Sequence, residues 1–221
     1  MLQPRLDVLP PGQRRLWREL DGTPRDFVLY GGTALALRLG HRQSVDFDFF
    51  SSSPVDSTSL LHRVPYLRGA DVLQRGTDTL TCLVDRGDPV RISFFGGLTL
   101  RRVADPDRLA APAVAIASLL DLAATKAEVV QARAAAKDYL DVDALIHRAG
   151  VSLSEALGAA GAVFGRAFNP MLTVKALCFF ADGDLAALPR DVCGRLLEAA
   201  SAVDPLHLPR FEPRTGVAPE S

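Results

Sequence analysis

The chain carries a Gly-Gly-Thr triplet, Gly31-Gly32-Thr33, shortly before an acidic segment that reads Val-Asp-Phe-Asp-Phe from Val45. In a β-strand, successive side chains alternate between the two faces. Alternation predicts that the apolar residues of this segment, Val45 included, point into a core. Asp46 and Asp48 then share the other face, with Cα atoms about 7 Å apart. Two carboxylates so placed repel each other unless a cation lies between them.

The glycine turn is typical of a phosphate cradle. Backbone N–H groups at Gly31 and Gly32, with the N-terminus of the following helix, can hold a triphosphate. Glycine lets the backbone approach closely and adopt positive φ. Oxygen ligands beside such a turn indicate Mg²⁺ and a nucleoside triphosphate, with Asp46 and Asp48 as the metal ligands. The plainer alternatives are a tight strand-to-helix turn for the glycines and a solvated strand face for the aspartates.

The bulk composition restricts the class of protein. The chain has 221 residues, of which 48% are apolar and 23% charged, as is ordinary for a soluble globular protein. Its net charge of −1 gives no global electrostatic attraction for nucleic acid, so contacts with RNA must come from a local patch. No signal-peptide pattern or membrane-length apolar run is present, and the three cysteines match no metal-ligand spacing. We therefore expect a cytoplasmic protein with no membrane partner.

The use of lysine is unusual. Of the 25 lysines and arginines only three are lysine, namely Lys126, Lys137 and Lys175. Lysine kept in an arginine-rich chain indicates a need for a compact, flexible point charge, although chance is the open alternative. Lys126 and Lys137 lie 11 residues apart, which on one continuous helix places them on the same face.

The N-terminal half predicts a mixed sheet with helices. A strand over 27–30 runs into the glycine turn, and Thr33 is a candidate N-cap for a helix over 34–39 that Gly40 ends. The acidic strand follows over 45–50, then a helix over 58–63. Strands over 79–84 and 90–95 form a hairpin.

The C-terminal half predicts helices alone. The alanine-rich stretch 113–148 indicates one long helix or two abutting ones, followed by helices over 153–164, 171–180 and 191–202. The fold class is α+β. We expect a nucleotide-binding α/β core with its N-terminal helix over 1–107, a helical domain over 108–205 and a loose tail over 206–221.

The segment GGTALALRLGHRQSVDFDFF, from Gly31, closely resembles the first motif of the AbiEii/AbiGii-type toxin family. The later segment DLAATKAEVVQARAAAKDYLDVDAL, from Asp121, resembles that family's downstream Lys and Lys-Asp motifs. The resemblance implies a minimal polymerase-β-type nucleotidyltransferase fold followed by a helical half. It also implies Mg²⁺-dependent transfer of a nucleoside monophosphate from an NTP to a hydroxyl acceptor. Family members act as toxins of toxin–antitoxin or phage-defence pairs, so a cognate antitoxin is an expected partner. Some relatives modify RNA ends, particularly tRNA, which makes RNA the expected acceptor.

The resemblance also assigns roles. The implied catalytic residues are Asp46, Asp48, Lys137 and Asp138. The implied nucleotide-binding residues are Gly31, Gly32, Thr33, Arg42, Ser44 and Lys126. For Arg42 a salt bridge to a neighbouring carboxylate is the plain alternative, and for Lys137 an ordinary surface pair with Asp141. If the roles hold, Asp46, Asp48, Gly31 and Lys126 line one cavity.

One position departs from the polymerase-type pattern. A third carboxylate is expected within Val90-Arg91-Ile92-Ser93-Phe94, and the chain offers Ser93 there. A hydroxyl cannot replace a carboxylate as a base or a hard anionic ligand. Asp85 or Asp88 substitutes, or one metal suffices, or the site is degenerate. The last reading gives the alternative function, a nucleotide- or partner-binding module without turnover. A small-molecule adenylyltransferase of the drug-resistance type is a third hypothesis.

Overall fold

A computed structural model describes residues 2–219 and has the predicted α+β class. The chain divides into two compact units. The first contains the described residues up to Leu100, Asp105–Ser118, and the described residues from Thr215. The second contains Arg101–Ala104 and Leu119–Arg214. The domain boundaries expected from the sequence, at residues 107 and 205, stay predictions.

A mixed sheet organises the first unit. Its seven strands are β1 (Val28–Tyr30), β2 (Asp46–Phe50), β3 (Asp71–Gly76), β4 (Thr79–Asp85), β5 (Pro89–Phe95), β6 (Asp107–Arg108) and β7 (Ala115–Ile116). Their order across the sheet is β3-β4-β5-β2-β1-β7-β6. Strand β2 pairs antiparallel with β1 and parallel with β5, and β4–β5 is the predicted antiparallel hairpin. The acidic strand therefore lies in the middle of the sheet, where both of its edges are paired.

One face of β2 is core. Phe47 and Phe49 are fully buried, and Phe49 stacks on Phe94 of β5 with ring centroids 5.6 Å apart. Trp17, the last residue of helix α1 (Pro11–Trp17), stacks on Phe47 at 6.2 Å. Val45 was expected in this core and is not there, because the strand begins one residue later and Val45 is 59% exposed.

Two further helices complete the first unit, α2 (Gly31–Leu39) and α3 (Ser57–Arg63). Helix α2 begins at Gly31, so the prediction that Thr33 is its N-cap is wrong, and Tyr30 has that position. Gly40 ends α2 in the left-handed conformation, with φ of 62°, as predicted. Strand β1 therefore passes into α2 with no intervening loop.

Five α-helices make up most of the second unit, within the part of the chain that the structure describes. They are α4 (Leu119–Ala132), α5 (Ala136–His147), α6 (Leu153–Phe164), α7 (Pro170–Leu177) and α8 (Arg190–Ser201). The helix predicted from residue 113 is wrong at its start, because Ala115–Ile116 is strand β7 and α4 begins at Leu119. The alanine-rich stretch also breaks between α4 and α5, where Ala135 is extended. The Asp184 carboxylate accepts a hydrogen bond of 2.6 Å from the Ala136 N–H and so starts α5. Lys126 and Lys137 consequently belong to different helices. The prediction that they project from the same face of one helix is wrong.

The segment from residue 206 was expected to be loose, and part of it is held. Arg214 and Arg102 exchange two backbone hydrogen bonds, of 2.7 and 3.0 Å. Val217 is buried, and its N–H donates to the Ser52 hydroxyl at 3.1 Å. None of the described helices is both long enough and apolar enough to cross a membrane.

The alternation of β2 gives a direct test of the fold. We expect Phe49→Ala to lower the free energy of unfolding by about 3–5 kcal/mol, because it leaves a cavity beside Phe94. Val45→Ala, which removes an exposed side chain, should change it by less than about 0.5 kcal/mol. Urea denaturation of the two variants measures both values. A loss for Val45→Ala as large as that for Phe49→Ala would show that the buried face of the strand extends to Val45.

Candidate active site

The two carboxylates of the candidate site lie on β2, in the middle of the sheet. Asp46 and Asp48 alternate with the buried phenylalanines of β2, so both lie on the face opposite the aromatic core and are half-buried. Asp48 is in register with Tyr30 of β1 on one side and with Ser93 of β5 on the other. Asp46 is in register with Arg91. Residues in register on neighbouring strands project from the same face of a sheet, so this row defines the site.

The glycine turn lies directly against this pair. Gly31 has φ of +74°, a conformation that residues with a Cβ rarely adopt. A Cβ at Gly31 would lie 2.8 Å from the Asp48 carboxylate oxygen Oδ2, which is closer than real side chains come. The positive φ therefore favours glycine at this position, and a Cβ would in addition displace the Asp48 carboxylate. The structure thus brings together the two motifs that the sequence paired.

Gly32 is crowded by two of the predicted phosphate donors. A Cβ there would overlap the Arg42 guanidinium and would lie 3.1 Å from the Ser44 hydroxyl. Arg42 also donates a hydrogen bond of 2.8 Å to the Gln43 carbonyl. Two polar groups, one cationic, consequently border the first turn of α2, where backbone N–H groups have no partner within the helix.

Thr33 ties α2 to the acidic strand. It is buried, its hydroxyl is hydrogen-bonded to the main-chain carbonyl of Asp46, and its Oγ1 lies 2.9 Å from the Ser44 Oγ. The side chain of Gln13 approaches the same oxygen at 3.4 Å. The hydroxyl therefore holds the start of β2 in place, and any contact of Thr33 with phosphate falls to its backbone N–H.

The site contains a donor set that fits Mg²⁺. No cluster of three or more His, Cys, Asp or Glu residues able to hold a metal occurs between residues 2 and 219. Magnesium, however, is commonly bound by one or two carboxylates together with substrate phosphates and water. Asp46 and Asp48, beside a turn that can receive phosphate, are such a pair.

The third carboxylate position holds a hydroxyl pair. Ser93 lies beside Asp48, is 4% exposed, and receives a hydrogen bond of 3.3 Å from the Thr81 hydroxyl of β4. Asp85 and Asp88 do not replace the missing carboxylate. Asp85 accepts a hydrogen bond from the Gly87 N–H at 2.7 Å, and Asp88 pairs with Arg15 at 3.2 Å. Both lie at the hairpin turn, at least four residues along β5 from Ser93, which is about 13 Å.

The helical unit contains a buried charge cluster. The Lys126 ammonium of α4 lies 2.6 Å from Asp138 Oδ1 and 2.6 Å from Asp141 Oδ2, both on α5. The two aspartates are fully buried and Lys126 is 5% exposed. Arg133 closes the cluster with a hydrogen bond of 2.7 Å to Asp138 Oδ2. Two carboxylates and two cations leave the cluster with no net charge.

The pKa of Asp138 is lowered by this environment. Burial by itself raises the pKa, but the hydrogen bond from Arg133 and the charge of Lys126 outweigh it. Asp138 is therefore ionised at neutral pH.

The structure brings some of the predicted helical residues together and leaves Lys137 apart. The structure brings Lys126 and Asp138 together, whereas Lys137 is exposed and forms no ion pair with any residue from 2 to 219. The alternative pair of Lys137 with Asp141 is wrong, because Asp141 binds Lys126. Sequence reasoning missed Arg133 and Asp141. The signal for Asp141 was its i to i+3 spacing from Asp138 within an apolar helix. A cavity that Lys126 shares with Asp46 stays a prediction.

The architecture is shared with a solved structure. A crystal structure from H. pylori, of a candidate nucleotidyltransferase, superposes with a TM-score of 0.52 at 16% identity, over 86% of this chain and 90% of that chain. This likeness shows the fold, and it confirms the predicted nucleotidyltransferase architecture.

The family follows from the sequence match. Residues 15–212 match the family described as "Nucleotidyl transferase AbiEii toxin, Type IV TA system". The chain therefore belongs to the AbiEii nucleotidyltransferase toxin family, as the two motifs indicated, and is a nucleotidyltransferase. It is also 33% identical to the uncharacterised protein aq_aa25 of Aquifex aeolicus (strain VF5) over 163 residues, 73% of this chain and 77% of the relative.

The buried cluster predicts very different effects for two lysines of the motif region. Lys126→Ala should lower the free energy of unfolding by about 3–5 kcal/mol, because it leaves buried carboxylates without their cation. Lys137→Ala, on the exposed face of α5, should change it by less than about 0.5 kcal/mol. Thermal and urea denaturation of both variants provide the comparison. A Lys126→Ala protein as stable as the wild type would mean that the cluster is open to water.

The lowered pKa of Asp138 predicts an acid dependence. A carboxylate with a lowered folded-state pKa stabilises the protein above its unfolded-state pKa, and the stabilisation is lost as pH falls through the folded-state value. We expect wild-type stability to fall more steeply between about pH 5 and 3 than that of Asp138→Asn, which has no proton to gain at this site. Denaturation midpoints over this range measure the two slopes. Parallel slopes would contradict the coupling.

Proposed function

We propose that the protein transfers a nucleoside monophosphate from an NTP to a hydroxyl group of RNA, with tRNA the first candidate acceptor, in a Mg²⁺-dependent reaction. We propose further that it acts in the cytoplasm as the toxin of a toxin–antitoxin or phage-defence pair, held in check by a cognate antitoxin protein. The family membership supports the reaction class and the expectation of an antitoxin. The nucleotide, the acceptor and the metal are the parts that experiment has to test.

The contact between Gly31 and Asp48 carries this proposal. A phosphate group on the backbone N–H groups of the turn would lie beside the carboxylate pair, because a Cβ at Gly31 already reaches Asp48. Such closeness would be unfavourable for an anion alone, since like charges repel. Bound Mg²⁺ would remove this repulsion. Asp46 and Asp48 would hold the ion, and it would neutralise the charge of the phosphates.

The chain's own residues orient the substrate. Gly31 and Gly32 receive phosphate oxygens through their N–H groups, while Arg42 and Ser44 are placed to donate to the same group. In the reaction the acceptor oxygen forms a bond to the α-phosphorus, the bond from that phosphorus to the bridging oxygen breaks, and pyrophosphate leaves. The hydroxyl proton passes to a base, and the carboxylates of β2 are the bases on this face. Catalysis then rests on positioning and charge rather than on a covalent intermediate.

The helical residues have a supporting role in this proposal. The two short contacts of Lys126 use two of the three N–H donors of its ammonium group, and a role of Lys126 toward the nucleotide is proposed from the family motif alone. Asp138 holds that ammonium in place. Lys137 is exposed and is proposed only as an additional cation for the nucleotide.

A second candidate function is a family member that binds nucleotide or a partner protein without turnover. The hydroxyl pair of Ser93 and Thr81 favours it, because neither group can act as the missing anionic ligand. Incubation with each α-labelled NTP, Mg²⁺ and total RNA decides between the two. Transfer of label to RNA supports the enzyme, and NTP binding without any transfer supports the module.

The carboxylate pair can be tested without disturbing the glycine turn. Asp46→Asn should abolish label transfer and most of the stabilisation by Mg²⁺ and NTP, which for the wild type is about 2.7 kcal/mol at a hundredfold excess over Kd. Folding in the absence of ligand should be unaffected, because one of two repelling charges is removed. Asp71→Asn, at the exposed edge strand β3 of the same sheet, is the matched control. Thermal shifts measured with and without EDTA provide the values. No shift with Mg²⁺ and NTP in the wild type would defeat the proposal.

A further inference from the structure

Strand β5 extends the site beyond the carboxylate pair. The parallel register pairs Asp46 with Arg91 and Asp48 with Ser93, so Arg91 and Ser93 project from the same face as the two aspartates. The residues between them in β5 point the other way, because Ile92 and Phe94 are fully buried on the aromatic face of the sheet. Neighbouring strands are about 4.8 Å apart, which places Arg91 next to Asp46.

Arg91 and Ser93 differ in their surroundings. Ser93 is buried and bonded to Thr81, whereas Arg91 is exposed. An ion pair between Arg91 and the neighbouring Asp46 would be an ordinary structural role, but Arg91 forms none with any residue of the described range 2–219. The β5 side of the site therefore presents one accessible cation and neutral hydroxyls, where the polymerase-type pattern has an anion.

The two edges of β2 indicate the side from which the acceptor approaches. The glycine turn lies at the end of β1, on one edge of β2, and β5 lies on the other edge. If the turn holds the departing phosphates, pyrophosphate leaves on the β1 side. In-line displacement requires the attacking oxygen on the side opposite to the leaving group. The acceptor hydroxyl would then approach over β5. This step rests on the function proposed above.

We propose that Arg91 binds a phosphate of the acceptor strand, so that the acceptor is a polynucleotide held on the β5 side of the site. The planar guanidinium matches phosphate oxygens in a bidentate arrangement and remains charged at any physiological pH. The same charge disfavours a cationic small-molecule acceptor, because Arg91 repels it. The site then selects its acceptor by charge on the β5 edge of β2 and binds its NTP on the β1 edge.

Salt-dependent binding of RNA tests this contact without turnover. The probe is a fluorescently labelled single-stranded RNA with a free 3′ hydroxyl, titrated at several salt concentrations. Each phosphate contact contributes about 0.7 to the slope of log K against log salt for a single strand, so Arg91→Gln should flatten the slope by about that amount. Arg68→Gln, another exposed arginine of the first unit, should leave it unchanged. Arg91→Lys should keep the slope, because it keeps the charge.

Kinetics separate the acceptor from the nucleotide. In the transfer assay Arg91→Gln should raise KM for RNA about tenfold or more, as expected for a lost charge-assisted hydrogen bond, with kcat and KM for the NTP unchanged. Thermal stabilisation by Mg²⁺ and NTP should equal that of the wild type.

The outcomes distinguish the two proposals. Equal salt slopes for wild type and Arg91→Gln, with intact NTP stabilisation, would overturn the role of Arg91 alone. Failure of the wild type to bind RNA would also overturn the role of Arg91. Loss of NTP stabilisation in Arg91→Gln would overturn it as well, because the guanidinium would then bind the nucleotide. Absence of NTP stabilisation in the wild type would defeat the proposed function itself.

Discussion

The close approach of the Gly31 backbone to the Asp48 carboxylate is the contact on which the rest of the site depends. It brings the strand-to-helix turn within reach of the carboxylate pair, and it is made possible by the position of β2 between β1 and β5. The buried aromatic face of β2 fixes the strand, since Phe47 and Phe49 cannot leave the core without a large loss of buried apolar area. Hydrophobic packing on one face therefore holds two like charges in place on the other.

The sequence predicted the features that depend on local patterns. Period-two alternation predicted that Asp46 and Asp48 share a face, and the glycine at residue 40 predicted the end of α2. It failed where tertiary contacts decide. No residue between α4 and α5 is a helix breaker. The break arises because the Asp184 carboxylate, 48 residues further along the chain, accepts a hydrogen bond from Ala136, the first residue of α5. Strand β3 was not predicted, because it is an edge strand whose six residues are all exposed and show no alternation.

The predicted site divides in the same way. Gly31, Gly32 and the aspartates of β2 are close in sequence, and their grouping could be read from spacing. The cluster of Lys126 with Asp138 and Asp141 joins two helices, and only the folded chain shows that the lysine is buried. Its zero net charge, with the exposed Arg133 included, explains how Lys126 and the two aspartates tolerate burial, since isolated buried charges are strongly unfavourable. This cluster is thus neutral before any nucleotide binds.

The geometry at Gly31 also bears on mutational tolerance. Every missense change at this codon adds a Cβ, and every such Cβ meets both a disfavoured φ and the Asp48 oxygen. Even alanine, the smallest substitute, would meet the strained backbone conformation and displace the Asp48 carboxylate. In a library of random variants this position should admit glycine alone, while the neighbouring positions of α2 tolerate changes in proportion to their burial. Genetic selection for loss of activity should therefore recover this position with an unusually wide range of replacements.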